Sequence, residues 1–354
     1  MRLRPRWLAL TAAVTTCVLT ATAALAVTAP APLPLSRTIG DPSVARTSSG
    51  YVLTATGPSV PRAVSTDGVH WTWTTPALTT LPRWANPRGG DIWAADIVQV
   101  NSYWVLYFAA PVTGIGPTSR CIGVALARSP TDPFVPYGTE PLSCPSQATA
   151  PSGGTRPVAP DQMIDTAGQR TTPTTMIGAI DPGFFHDPLS GRNWLFYKQD
   201  GLPSAIRLLP LRGDGLRVGG RSFPILTSPG VIENPSVIQV GSTDFLFASA
   251  GSWAHCTYKT VWFSTRNISA WTGPSHDWMT SASTGLCGPG GLDAIRTGST
   301  ISVYLEGWTC RWTPNPCPST FSETVAGFHG SRSLYGARIV FENSQPVLAH
   351  WLPY

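Results

Sequence analysis

The sequence predicts an all-β chain folded as a five-bladed β-propeller. Three observations carry that expectation. Long helical periodicities are nearly absent, while 34 Gly and 35 Pro punctuate the 354 residues every few positions. The stretches between them are short, alternating and rich in Val, Ile, Tyr, Phe and Trp, which is the pattern of half-buried strands. Finally, one unit recurs five times along the chain: an acidic residue, a short apolar strand, a tight turn, then a longer aromatic-rich strand.

The first copy runs from Asp41-Pro-Ser-Val through a turn at Ser49-Gly50 into Tyr51-Val-Leu-Thr-Ala. In the second, Asp96-Ile-Val-Gln-Val precedes Asn101-Ser102 and then Tyr103-Trp-Val-Leu-Tyr-Phe-Ala. The third joins Asp181-Pro-Gly-Phe-Phe to Asn193-Trp-Leu-Phe-Tyr-Lys across Ser190-Gly191. The fourth joins Glu233-Asn-Pro-Ser-Val-Ile to Asp244-Phe-Leu-Phe-Ala-Ser across Gly241-Ser242. A weaker fifth copy has Asp293-Ala-Ile, a turn near Gly298, and Ile301-Ser-Val-Tyr-Leu. Third strands are expected at Arg62-Ala-Val-Ser, Gly123-Val-Ala-Leu-Ala and Val261-Trp-Phe-Ser-Thr. The copies start roughly 50 to 90 residues apart, so some blades must carry long loops. A two-sheet sandwich also uses short strands, but it does not explain an acid at the same point of every repeat.

Residues 1–26 read as a signal peptide. Arg2, Arg4 and Arg6 precede an apolar run, and Ala24-Leu25-Ala26 supplies the small-x-small cleavage pattern. Thr residues interrupt the run and an extended Thr28-Ala-Pro-Ala-Pro-Leu-Pro stretch follows, which favours cleavage over a membrane anchor. The expected organisation is therefore a signal peptide at 1–26, a Pro/Ala-rich linker at 27–38 and the propeller at 39–354, exported and free of the membrane.

Cleavage leaves 328 residues with six cysteines. An even count in an exported chain points to disulfides, and fifteen pairings are allowed. Neighbours in order are expected: Cys121–Cys144, Cys256–Cys287 and Cys310–Cys317. No CxxC or HExxH occurs, so no zinc site is expected. Without the three signal arginines, 21 basic residues against 19 acidic ones leave a net charge of about +2. With no basic cluster there is no footprint for nucleic acid. The 14 Trp are explained first by sheet cores, although aromatic faces also stack on sugar rings.

In a propeller the first strand of each blade lines the central channel, so Asp41, Asp96, Asp181, Glu233 and Asp293 should converge at one mouth. Crowded like charges raise at least one pKa, and two carboxylates flanking a glycosidic bond are the usual equipment for its hydrolysis. The plainer reading, acids that bond backbone turns or bind a cation, is open for any one of them.

The segments Asp41-Pro-Ser-Val, Ile180-Asp-Pro-Gly-Phe-Phe and Ile232-Glu-Asn-Pro-Ser-Val resemble glycoside hydrolase family 43 in order and spacing. So do Ile92-Trp-Ala-Ala-Asp-Ile, Tyr197-Lys-Gln-Asp-Gly and Cys287-Gly-Pro-Gly-Gly, the last in the manner of a secreted, cysteine-containing branch. The resemblance implies an inverting glycosidase acting on arabinofuranosyl or xylosyl linkages in cell-wall polysaccharide. It assigns Asp41 as general base, Glu233 as general acid and Asp181 as the group that raises the pKa of that acid. It makes Trp93 and Asp96 candidates for the sugar-pocket wall. Some family members hold a central calcium with a His after Gly-Pro-Gly; here that place is Gly291, so no metal ligand is assigned, no cofactor is expected, and a structural calcium is left open. A monomer acting on an oligosaccharide or polysaccharide is expected. The alternative is a catalytically silent propeller that only binds glycans.

Overall fold

Tight turns set the hairpins. Asn101, Gly191, Gly241 and Gly298 have φ of 55°, 67°, 62° and 60°, the left-handed backbone that tight hairpins need. The computed structural model describes residues 27–150, 176–310, 313–324 and 329–353. The expected signal peptide lies outside these residues.

Five four-stranded antiparallel sheets follow one another along the chain, each a simple meander. Blade 1 holds β1 (Ser43–Thr47), β2 (Gly50–Thr54), β3 (Arg62–Ser65) and β4 (Thr72–Trp73). Blade 2 holds β5 (Trp93–Val100), β6 (Tyr103–Pro111), β7 (Arg120–Ala127) and β8 (Val135–Pro136). Blade 3 holds β9 (Gly178–Asp187), β10 (Arg192–Asp200), β11 (Ser204–Leu211) and β12 (Phe223–Ser228). Blade 4 holds β13 (Ile232–Val240), β14 (Thr243–Ala250), β15 (Lys259–Thr265) and β16 (His276–Met279), followed by a one-turn helix α1 (Ser281–Thr284). Blade 5 holds β17 (Cys287–Thr297), β18 (Thr300–Cys310), β19 (Gly330–Glu342) and β20 (Gln345–Trp351). The inner strands β1, β5, β9, β13 and β17 contact one another in a closed ring, so the fold is a five-bladed β-propeller.

The aromatic-rich second strands are buried on both faces, because successive side chains point into different seams. Leu106 and Phe108 pack toward blade 1, whereas Val105 and Tyr107 pack toward blade 3. Phe196 and Leu246 meet between blades 3 and 4, and Phe245 and Val303 between blades 4 and 5. Most of the Trp fill such seams, as core packing demands. The three cystines pair in sequence order, Cys121–Cys144, Cys256–Cys287 and Cys310–Cys317. Leu33, inside the segment expected to be a linker, is buried against blade 5 and donates its amide to Leu334.

One expectation needs correction. The five acids do not occupy one repeated position. In blades 2 to 5 the inner strand carries a two-residue bulge, seen as a register jump at Trp93/Asp96, Ile180/Gly183, Glu233/Ser236 and Gly290/Asp293. Blade 1 matches it, with Thr56 donating to Gly40 before Ser43 pairs with Thr54. The first bulge residue is Asp41, Ala94, Asp181, Asn234 or Gly291, with φ of 51°, 43°, 55°, 48° and 56°. Asp, Asn and Gly are the residues that tolerate this backbone best. Glu233 stands one residue before its bulge, and Asp96 and Asp293 two residues after theirs. With a side-chain period of two broken by a bulge, these offsets send carboxylates to different levels of the channel.

Candidate active site

The bulges of blades 1, 3 and 4 bring Asp41, Asp181 and Glu233 into one cavity of about 480 Å³ at a mouth of the channel. Trp93 lines the same cavity. Asp96 does not; with Asp293 it lines a second cavity of the channel, to which Asp41 and Asp181 also contribute. There Asp96 and Asp293 each tie three blades together. Asp96 accepts from Ser43 Oγ of blade 1 (2.8 Å) and the Phe184 amide of blade 3 (2.7 Å). Asp293 accepts from Ser236 Oγ of blade 4 (3.0 Å) and the Val44 amide of blade 1 (2.7 Å). Asp96 is thus a blade tie, outside the lining of the cavity that holds Trp93 and Glu233.

Each of the three mouth carboxylates has its own partners. Asp41 Oδ2 accepts from Thr56 Oγ1 at 2.6 Å, and its Oδ1 from Asn234 Nδ2 at 3.0 Å. Asp181 Oδ2 accepts from the Asn234 amide at 3.1 Å. Glu233 Oε2 accepts from Lys198 Nζ at 2.7 Å and Oε1 from the Tyr258 hydroxyl at 2.7 Å. Lys198 also pairs with Asp200 at 3.0 Å. Burial, and then the Glu233 carboxylate, push Asp181 well above the usual carboxylate range; Lys198 opposes them and Asp41 adds to them. Lys198 is itself raised, because the carboxylates Glu233, Asp181 and Asp200 outweigh its burial.

Behind Asp41 stands an ion pair that sequence reasoning missed. Glu306 Oε2 accepts the Asp41 amide at 2.8 Å, and Glu306 Oε1 accepts from Arg332 at 2.8 Å. Burial, with Asp41 adding to it, raises Glu306 to about 7, against the opposing charge of Arg332. The glycines of blades 1 and 5 make room for these groups. A Cβ on Gly40 would fall 2.2 Å from an Arg332 nitrogen, and one on Gly291 would fall 3.2 Å from Glu306 Cδ. Gly290 does the same for the Tyr258 ring, 2.1 Å from its notional Cβ. The Gly-Pro-Gly-Gly run was the available signal, since Gly marks close approach, but it does not name what approaches.

Two aromatic walls frame the cavity. Trp93 is capped by Arg120, whose guanidinium carbon lies 3.2 Å from the ring centroid and whose nitrogens bond the Asp91 and Thr118 carbonyls. Trp253, 44% exposed, stacks on Trp308 at 6.2 Å, and Trp308 Nε1 donates to the Trp253 carbonyl at 2.7 Å. Nothing in the sequence sets Trp253 apart from the other tryptophans. As for calcium, the described residues contain no group of three or more His, Cys, Asp or Glu poised for a metal. Gly291 offers no side-chain ligand, and the Asp96 and Asp293 oxygens already accept hydrogen bonds from neighbouring blades.

The structure defines a class first: five-bladed propellers with three carboxylates at one channel mouth. Within that class the chain resembles glycosyl hydrolases of family 43, whose family model matches residues 34–152. An extracellular exo-alpha-(1->5)-L-arabinofuranosidase of Cellvibrio japonicus (strain Ueda107) is 31% identical over 95 residues, 26% of this chain. That match spans 27% of the relative's length. A thermostable family-43 glycoside hydrolase superposes with a TM-score of 0.63 at 18% identity, covering 89% of this chain and 96% of the other. An exo-1,5-α-L-arabinanase from a bovine ruminal metagenomic library gives 0.63 at 19%, covering 90% and 100%. The Cellvibrio cellulosa α-L-arabinanase gives 0.62 at 20%, covering 88% and 96%. At these identities the structural likeness is one of fold.

Proposed function

We propose that this chain is an exported, inverting glycoside hydrolase that cleaves arabinofuranosyl or xylosyl linkages in cell-wall polysaccharide. One observation carries the reading: Asp41, Asp181 and Glu233, from three different blades, line a single cavity between the walls Trp93 and Trp253. The relative from Cellvibrio japonicus, named as an extracellular arabinofuranosidase, supports both the sugar and the export. Among the described residues no helix is long and apolar enough to cross a membrane.

In this reading Asp41 takes a proton from water as the water attacks the anomeric carbon, and Glu233 gives a proton to the departing oxygen. Inversion needs the two carboxyls about 6.5–9.5 Å apart, with room for that water. The side chains of Asn234 and Tyr258 stand between Asp41 and Glu233, which keeps the two acids out of direct contact. Asp181 shares the Glu233 site, where burial and the neighbouring Glu233 carboxylate push it well above the usual carboxylate range. Lys198 holds Glu233 in place and neutralises the carboxylate left after proton transfer.

The test is turnover of aryl arabinofuranosides, aryl xylosides, arabinan and arabinoxylan, with the anomer of the product read by NMR. Glu233→Gln should slow substrates with poor leaving groups by roughly 10²- to 10⁴-fold and activated aryl glycosides far less. Asp41→Asn should abolish both. Equal loss across leaving groups in Glu233→Gln, with Asp41→Asn still active, would refute the roles. Tight glycan binding without any turnover would make the chain a binding propeller.

A further inference from the structure

We propose that Tyr258 is a positioning residue whose hydroxyl hydrogen follows the proton of Glu233, turning between Glu233 and Asn234 during turnover. The inference rests on the glycosidase reading above. The Tyr258 oxygen lies 2.7 Å from Glu233 Oε1 and also 2.7 Å from Asn234 Oδ1. A phenol has one hydrogen, so it can serve only one of these acceptors at a time. The Asn234 amide is oriented by its other end, since Nδ2 donates to Asp41 and leaves Oδ1 facing the phenol. Tyr258 is fully enclosed, with its ring seated against Gly290. It is absent from the cavity lining, so it acts through Glu233 and not on the sugar.

Two arrangements are therefore available. While Glu233 carries its proton, Oε1 is a neutral, weaker acceptor, and the Tyr258 hydrogen goes to Asn234. The phenol oxygen can then accept the carboxyl hydrogen until substrate arrives, when rotation about the carboxyl C–O bond turns that hydrogen from the phenol toward the cavity. As that proton leaves for the glycosidic oxygen, Glu233 becomes a carboxylate and the Tyr258 hydrogen turns to Oε1. A hydrogen bond to a charged oxygen is roughly twice as strong as a neutral one. The bond thus strengthens only as the reaction proceeds, which is the kind of interaction that raises kcat and leaves KM alone. No proton leaves Tyr258 itself. Burial, and the neighbouring Glu233, Glu306 and Asp41 carboxylates, hold its hydroxyl well above the usual phenol range. The other charges facing Glu233 are Lys198 and Asp181.

The experiment compares two variants of the full chain on paired substrates with good and poor leaving groups, across pH. In Tyr258→Phe, kcat on the poor leaving group should fall roughly tenfold or more relative to the good one, with KM little changed. The basic limb of its pH profile should move up, because the carboxylate has lost a donor. Asn234→Gly tolerates the positive φ and removes the competing acceptor, so the phenol stays on Glu233. Its basic limb should move down. The ratio of the two rates within one preparation is independent of how much protein is folded. A uniform loss across leaving groups, or basic limbs that stay put or move the same way in both variants, overturns the inference alone. A wild type that cleaves no glycoside overturns the glycosidase reading with it, before any variant is made.

Discussion

Asp41 adopts φ 51°, and its amide donates across the ring to Glu306 of blade 5, which Arg332 holds in turn. The Glu306 side chain is 2% exposed, so both of its partners depend on it. Removing one member of a buried pair leaves an uncompensated charge, a loss of about 3–5 kcal/mol. Glu306→Ala should show a loss of that size in urea unfolding. Glu306→Gln, which keeps an acceptor for the Asp41 amide, should lose clearly less. Equal losses would mean that the acceptor is irrelevant and only the charge counts. The contrast explains what was legible at this scale. Asp41, Asp181 and Glu233 stood in distinctive Asp-Pro and Glu-Asn-Pro contexts. Glu306, Arg332 and Lys198 lie inside ordinary strands and Tyr258 just ahead of one, and only the ring brings them to the mouth. Lys198, one of two lysines in the chain, was the strongest hint available.

The bulge is the element that sorts acids by depth. Hairpins, turns and third strands were legible because hydrophobic alternation and turn chemistry are local signals. The bulge is a pairing property of two strands, so Asp96 read as a mouth residue when it is a tie among blades 1, 2 and 3. Its placement has a consequence for pH. Burial, then the nearby Asp293, raise Asp96 to about 7, and burial raises Asp293 to about 6. Between about pH 4, where the unfolded carboxylates ionise, and about pH 7, the folded chain holds protons that the unfolded chain has released. Stability therefore falls as pH rises through that window. Asp96→Asn mimics the protonated acid: its oxygen can accept from the Phe184 amide and its nitrogen can donate to Ser43. The variant should match wild type near pH 4.5 and exceed it near pH 8 by on the order of 1–3 kcal/mol in chemical unfolding. A variant less stable than wild type at both pH values would show that the ties need the charge.

At the scale of the whole molecule the notable feature is how the ring closes. Among the described residues every sheet is built from consecutive strands, and none is shared between the first blade and the last. The seam between blades 5 and 1 is held instead by non-covalent contacts. Leu33 and Ile39 pack with Leu53, Tyr304 and Leu334, and their amides donate to Leu334 and Arg332. Composition alone, Pro and Ala with few charges, made this segment read as a linker, because its partner strand is some 300 residues away in sequence. The same seam carries the Asp41–Glu306 bond, so loosening it should disturb the mouth before the blades melt. Leu33→Ala should cost about 2–5 kcal/mol of the contacts that close the ring. On heating, activity in this variant should be lost several degrees below the unfolding of the sheets followed by circular dichroism. Leu209→Ala, an equally buried change in the seam of blades 2 and 3, should lower both transitions together. If activity and structure part company in both variants, or in neither, ring closure at blade 1 is not the weak point that this topology predicts.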